Sequence, residues 1–116
     1  MQYSIGVDIV DVDDFSKRIS RTRSLAERLF TENEIEYCKK RGVEHLASRF
    51  AAKEALVKAL NFKAIEWHDV EVRNSETGKP YFEIKKELKK KLGIKFVDLS
   101  ISNTKRSAVA VVMTGR

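Results

Sequence analysis

A chain of 116 residues that is 42% hydrophobic and 34% charged is long enough for one folded core and too apolar for a disordered protein. No apolar run approaches the ~20 residues that cross a bilayer, so we expect a protein with no membrane segment. The single cysteine, Cys38, excludes a disulfide within the chain and favours the cytoplasm. The net charge of +6 predicts an acidic or phosphorylated partner.

The first half of the chain is predicted to form one strand followed by helices. Residues 3–12 alternate, so that Ile5, Val7 and Ile9 share one face, while small residues and Asp8 share the other. We expect Asp13 or Asp14 to cap a helix with apolar positions as far as Leu29. The capping box of Thr31 and Glu34 then predicts a short helix that ends at Gly42, and a longer helix follows over about 45–60.

The second half is predicted to be mostly strands. Turn residues 74–80 separate two alternating segments, which indicates a hairpin over 67–84. A lysine-rich helical turn over 85–92 precedes two more strands, which the NTKR turn at 103–106 joins. A strand, then helices, then antiparallel hairpins predict an α+β fold, and the absence of linkers and repeats predicts a single domain over 1–116.

The helix over 45–60 carries an acid and a base on a surface of small side chains. Glu54 and Lys58 lie one turn apart, and Ala47 and Ala51 are their neighbours, which leaves room beside them. One interpretation is an ordinary exposed ion pair worth about 0.2–0.5 kcal/mol. The alternative combines Glu54 with Asp8 as two carboxylates for a hard cation such as Mg²⁺, with Lys58 meeting a phosphate. Both interpretations stay open on spacing alone.

Four motifs in the same order resemble those of holo-acyl-carrier-protein synthases, the small trimeric class of 4′-phosphopantetheinyl transferases. They are IGVDIVDV at 5–12, RFAAKEALVKA at 49–59, TGKP at 77–80 and SISNT at 100–104. The resemblance implies the 4′-phosphopantetheinyl transferase fold and Mg²⁺-dependent transfer of 4′-phosphopantetheine from coenzyme A to a serine of apo-acyl carrier protein. Release of adenosine 3′,5′-bisphosphate, a role in fatty-acid biosynthesis and a homotrimer with interfacial active sites are also implied.

The resemblance also implies roles for individual residues. Asp8 and Glu54 match the magnesium ligands and act in catalysis, and Lys58 matches a catalytic lysine that contacts the pyrophosphate. The matched residues that would bind coenzyme A are Arg49, Lys58, Gly78, Lys79, Pro80, Asn103 and Thr104. The basic segment that would meet an acidic carrier contains Arg21, Arg23 and Arg28. A water on the metal, or Glu54 acting through a water, would accept the serine proton.

The chain departs from the family pattern at three places. Asn103 stands where the family usually has a histidine, so a phosphate contact from a neighbouring subunit is put in doubt. Residues 61–63 replace a Gly-Thr-Gly stretch that lies near coenzyme A in the family. Asp14 replaces an arginine often found early in the first helix, where Lys17 or Arg18 could substitute.

Two other functional classes stay open. One is a non-catalytic relative that binds coenzyme A or the carrier protein, although such a protein does not need Asp8, Glu54 and Lys58 together. The other is a small basic nucleic-acid-binding domain. Aromatic residues are not interleaved with the basic ones as in a stacking platform, so we expect no nucleic-acid partner.

Overall fold

The computed structural model describes residues 1–116 as five strands, five α-helices and one 3₁₀ turn. The first half contains β1 (Tyr3–Asp11), α1 (Val12–Arg21), α2 (Leu25–Leu29), α3 (Glu32–Lys39) and α4 (Val43–Leu60). The second half contains the 3₁₀ turn (Trp67–Asp69), β2 (Val70–Asn74), β3 (Pro80–Ile84), α5 (Lys86–Leu92), β4 (Phe96–Asn103) and β5 (Ser107–Gly115). None of the helices is both long and apolar enough to cross a bilayer.

Two antiparallel sheets organise these elements. The first sheet has the strand order β1-β5-β4, and β1 pairs with β5 along its whole length, from Tyr3 opposite Gly115 to Asp11 opposite Ser107. The second sheet is the predicted hairpin of β2 and β3. Helix α4 packs against β1 and β5 and supplies much of the main apolar core. The predicted α+β class is confirmed.

Small residues bring α4 into very close contact with β1. A methyl group on Gly6 would lie 2.0 Å from the Ala55 carbonyl oxygen, so only glycine permits this approach. Ala47, Ala51 and Ala55 are fully buried by neighbouring elements. Ala47 and Ala51 therefore pack into the core. Glu54 does have open space beside it, as predicted, but these two alanines do not line that space. The small side chains instead bring Asp8 and α4 together.

The first helical segment differs from the prediction in its cap and its length. Asp11, the last residue of β1, is the N-cap, and its side chain accepts a hydrogen bond from the Asp14 backbone N–H at 2.9 Å. The expected caps, Asp13 and Asp14, lie inside the first turn instead. Their negative charges there interact favourably with the positive end of the helix dipole. The helix ends at Arg21, so the apolar positions near Leu29 belong to a separate helix. The predicted capping box of α3 is confirmed.

The apolar face of β1 is the outer face of the sheet. Ile5, Val7 and Ile9 are 70%, 55% and 69% exposed, although their alternation matches the prediction. On β5, Met113 pairs with Ile5 and is also exposed. An exposed contiguous row of large apolar side chains is typical of a surface that another protein covers.

Candidate active site

Asp8 and Glu54 border one cleft between β1, α1 and α4. The cleft has a volume of about 410 Å³, and Asp14, Arg18 and Phe50 also line it. Asp8 extends from β1 on the same face as Gly6, whose close contact with α4 brings the strand and the helix together. The two carboxylates predicted as metal ligands are therefore neighbours in the fold, although 45 intervening residues separate them in sequence.

The charge balance in this cleft favours a cation. Partial burial raises the pKa of Glu54, and the nearby charge of Asp8 raises this pKa further, while Lys58 and Arg18 oppose the shift. Two carboxylates that repel each other at a partly buried site are stabilised by a positive charge placed between them. A cation between Asp8 and Glu54 would relieve this repulsion, and the metal assignment stays a prediction.

Lys58 contacts Asp8 rather than Glu54. Its Nζ donates to Asp8 Oδ1 at 3.0 Å and to the Val7 carbonyl oxygen at 3.0 Å. The structure has no ion pair between Glu54 and Lys58, so the interpretation of an ordinary pair one helical turn apart is wrong. Strand β1 presents two acceptors to the Lys58 ammonium, and the ammonium binds these rather than Glu54 on its own helix.

The residues of the cleft fit a magnesium ion that shares its ligands with a substrate. The chain has no cluster of three or more His, Cys, Asp or Glu side chains that could enclose a metal. Asp8 and Glu54 are hard oxygen donors, and Mg²⁺ commonly uses one or two carboxylates and completes its shell with water and substrate phosphates. This donor set suits Mg²⁺ and does not suit a structural zinc ion, which needs four protein ligands.

Arg49 lies in a second, smaller cavity of about 240 Å³ between α3, α4 and the hairpin. The residue is only 3% exposed, its guanidinium lies 4.2 Å from the centre of the Tyr37 ring, and one Nη donates to Asn74 Oδ1. The Asn74 amide donates in turn to the Gly78 carbonyl oxygen at 3.0 Å, which links Arg49 to the TGKP turn. Arg49 Nε is buried without a hydrogen-bond partner. A buried N–H without a partner is an unsatisfied donor, which is rare in folded proteins.

The TGKP turn connects β2 to β3 beside this second cavity. Gly78 has a φ of 91°, which L residues rarely adopt, so the turn depends on glycine here. Lys79 Nζ donates to the Leu99 carbonyl oxygen at 3.1 Å and lies 3.5 Å from Asp98, while Pro80 begins β3. In this arrangement the Lys79 ammonium contacts β4, and the backbone of the turn remains exposed.

Asn103 and Thr104 lie at the turn between β4 and β5 and line neither cavity. The Asn103 amide donates to Ser48 Oγ at 2.7 Å. Thr104 Oγ1 accepts hydrogen bonds from the backbone N–H groups of Arg106 and Ser107, at 3.1 Å and 3.0 Å. One chain therefore places the predicted residues in three separate groups: the carboxylate cleft, the Arg49 cavity and this turn.

The sequence did not reveal a fully buried ion pair that joins α4 to the other helices. Lys53 Nζ donates to Glu34 Oε1 at 2.7 Å and to the carbonyl oxygens of Leu29 and Trp67 at 2.8 Å and 3.0 Å. Burial lowers the pKa of Lys53, and the charge of Glu34 opposes that shift. A lysine among the alanines of α4 was the available signal, but its partner 19 residues away could not be identified from spacing.

Glu34 and Glu71 extend this network to the hairpin. The second carboxylate oxygen of Glu34 accepts a hydrogen bond from the Val72 backbone N–H at 2.8 Å. Glu71 accepts hydrogen bonds from Thr31 and Arg73. Burial raises the pKa of Glu71, but these hydrogen bonds outweigh burial and leave the pKa below its ordinary value of 4.5. The network holds α3, α4 and β2 together, and these elements surround Arg49.

Comparison with known proteins identifies the family. Residues 4–112 match the model of the 4′-phosphopantetheinyl transferase superfamily. The chain is 44% identical to the holo-[acyl-carrier-protein] synthase of Halothermothrix orenii, with 94% of each chain covered, and 41% identical to that of Geobacter sp. strain M21, with full coverage of both.

Solved structures agree with the sequence comparison. The Helicobacter pylori holo-[acyl-carrier-protein] synthase in complex with coenzyme A is 30% identical, covers 96% of this chain and 99% of that chain, and superimposes with a TM-score of 0.89. A Chronobacterium ammoniagenes complex with coenzyme A is also 30% identical, with 98% and 97% coverage and a TM-score of 0.86. The predicted fold, family and enzyme class are confirmed. The chain belongs to the holo-[acyl-carrier-protein] synthase family of the 4′-phosphopantetheinyl transferase superfamily.

Proposed function

We propose that this chain transfers 4′-phosphopantetheine from coenzyme A to a serine of an apo-acyl carrier protein, with Mg²⁺ as cofactor and adenosine 3′,5′-bisphosphate as the other product. The observation that carries the proposal is the shared cleft of Asp8 and Glu54, with the Lys58 ammonium on Asp8. Coenzyme A is present in the two related structures named above. We further propose a cytoplasmic role in fatty-acid biosynthesis, for which the family membership is the support.

The reaction assigns distinct tasks to the groups of the cleft. The carrier's serine oxygen bonds to the phosphorus that bears pantetheine, and the P–O bond to the nucleotide breaks. Mg²⁺ held by Asp8 and Glu54 would neutralise charge on the diphosphate. Lys58 binds the oxygen that becomes the leaving group and balances its new negative charge. The serine proton leaves through a water to Glu54.

The nucleotide half of coenzyme A is proposed to occupy the Arg49 cavity. The buried guanidinium supplies a positive charge, and its unpartnered Nε–H is a donor for a phosphate oxygen. The turn formed by Gly78, Lys79 and Pro80 lies next to this cavity, because the Gly78 carbonyl oxygen accepts a hydrogen bond from Asn74, which lines it. We propose that this turn also lies close to the nucleotide. Asn103 and Thr104 would contact phosphate through donors, not through the charge that a histidine could carry.

A homotrimer would unite the three groups of residues at interfaces between copies. The exposed apolar row on β1 supports this proposal, because a second copy could bury it. We therefore expect Val7→Glu to shift the mass measured by light scattering from three chains toward one. A wild-type protein that is monomeric at micromolar concentration, with full activity, would contradict the trimer.

The basic segment over 21–28, which runs from the end of α1 through a turn into α2, is the proposed docking surface for an acidic carrier. Arg21, Arg23 and Arg28 are all exposed, and none of them forms an ion pair within the chain. Exposed, unpaired guanidinium groups increase the rate at which an acidic protein associates, and salt screens this effect. We propose no nucleic-acid or membrane partner.

The hydrogen bond of Asn103 supports a second candidate function, binding without catalysis. The Asn103 amide is engaged by Ser48 within the chain, so its capacity to reach a substrate phosphate is reduced. A relative that binds coenzyme A or the carrier without transferring the group would tolerate this arrangement. The two functions differ in a single measurable outcome, the covalent modification of the carrier.

Intact-protein mass spectrometry tests the proposal. Apo-carrier incubated with the protein, coenzyme A and Mg²⁺ should gain one phosphopantetheine. Glu54→Gln should abolish the gain with an unchanged circular dichroism spectrum, whereas Glu66→Gln, an exposed control with the same charge change, should keep it. Binding of coenzyme A with no modified carrier would favour the non-catalytic alternative. Full transfer by Glu54→Gln would refute the metal assignment.

A further inference from the structure

The Lys58 ammonium contacts Asp8, the same carboxylate that is proposed to bind a divalent cation. The Lys58 ammonium bonds directly to Asp8 Oδ1, on a side chain that is only 17% exposed. Two cations on one carboxylate repel each other across a few ångströms, and the low exposure of Asp8 limits screening by water. A metal that takes Asp8 as a ligand must therefore weaken or displace the Lys58 contact.

The geometry points to Lys58 as the residue that couples metal binding to donor binding: it competes with Mg²⁺ for Asp8 until the diphosphate of coenzyme A offers its ammonium another partner. This inference rests on the proposed function, since it assumes that Asp8 is a metal ligand. It gives Lys58 a task before the chemical step, in addition to its contact with the leaving group.

Lys58 is able to make this exchange. Its side chain is 56% exposed, and its only other partner is the Val7 carbonyl oxygen, so no buried packing holds the ammonium in place. A lysine is a compact charge on a flexible stem, which lets it move between neighbouring anions. Lys53 is unlike it, because Lys53 is fully buried and uses all three of its donors within the fold.

Thermodynamic linkage then makes the two ligands cooperative. If the diphosphate draws Lys58 away from Asp8, the metal binds more tightly in the presence of coenzyme A. Reciprocity requires that the metal tighten coenzyme A by the same factor. Direct coordination of the metal by phosphate adds to this effect, but that part does not depend on Lys58. A substitution at position 58 removes only the part of the cooperativity between metal and coenzyme A that depends on Lys58.

Binding of Mn²⁺, followed by the electron paramagnetic resonance signal of the free ion, measures the competition without any turnover. Lys58→Met should tighten Mn²⁺ about tenfold in the absence of coenzyme A, within the range typical of coupled sites. The factor by which coenzyme A tightens Mn²⁺ should be smaller in this variant than in wild type. Lys85→Met is the matched control, since Lys85 pairs with Asp69 at 2.9 Å with side chains 62% and 27% exposed. This control should leave both quantities unchanged.

The outcomes separate this inference from the proposed function. If Asp8→Asn leaves Mn²⁺ binding unchanged, the metal assignment fails and the inference fails with it. If Asp8→Asn weakens Mn²⁺ while Lys58→Met binds it no more tightly than wild type, the competition alone is overturned. Equal tightening by Lys58→Met and Lys85→Met would show a general effect of net charge and would also overturn it.

Discussion

Replacing Lys53 by methionine should destabilise the fold severely, although the two side chains have nearly the same volume. The substitution removes three hydrogen bonds and leaves the carboxylate of Glu34 buried without its cation. Breaking one side of a buried ion pair costs about 3–5 kcal/mol. For a chain of this size, such a loss corresponds to a melting temperature lower by roughly 10–20 °C.

Urea denaturation followed by circular dichroism measures this loss, at one fixed protein concentration because assembly would add to the apparent stability. Lys17→Met is the control, since Lys17 pairs with Asp13 on an exposed helix surface and should change stability by less than about 1 kcal/mol. Adding Glu34→Gln to Lys53→Met should recover part of the loss by removing the uncompensated charge. A loss below about 1 kcal/mol in Lys53→Met would refute the reasoning.

Three other predictions concern packing, pH and docking. Gly6→Ala places a methyl group 2.0 Å from the Ala55 carbonyl oxygen, so we expect a loss of at least about 1–3 kcal/mol in urea denaturation. The pKa of Glu71 lies below 4.5, so its charged form stabilises the fold above that pH and the benefit disappears as the pH falls through the folded-state pKa. Glu71→Gln should therefore cost about 1 kcal/mol at pH 7 and little in strong acid. Reversing Arg21 and Arg28 to Glu should raise KM for the carrier far more than KM for coenzyme A.

Each of these predictions has an outcome that contradicts it. An unchanged stability in Gly6→Ala would mean that α4 and β1 are not in such close contact. A stability difference in Glu71→Gln that persists undiminished in strong acid would mean that the charge of Glu71 is not its cause. Equal changes in both KM values for the arginine reversals would exclude this segment as a docking surface specific to the carrier.

Local pattern placed Asp8 and Glu54 on the surfaces that meet at the cleft, but spacing alone did not decide between a cation site and an exposed ion pair. Alternation along β1 placed Asp8 on the face with Gly6, and helical spacing placed Glu54 beside alanines. Both patterns describe the surfaces where a strand and a helix meet, and the structure brings those surfaces together. Asp14 and Arg18 line the same cleft from α1, and the local patterns did not predict their position.

Long-range partners could not be predicted in the same way. Helical spacing assigned Lys58 to Glu54, but its partner is Asp8, 50 residues away on a strand. The pairing of Lys53 with Glu34 also depends on how separate helices pack, which no short window of sequence contains. The break after α1 was missed because a few polar residues between two apolar segments are compatible with a continuous helix.

The most direct test of the central claim is a comparison of carrier modification by wild type and by Asp8→Asn, with intact-protein mass spectrometry as the readout. We predict that wild type adds one phosphopantetheine to the apo-carrier only when both coenzyme A and Mg²⁺ are present, and that Asp8→Asn adds none. Modification by Asp8→Asn at the wild-type rate, or modification by wild type after complete removal of divalent cations, would contradict the account.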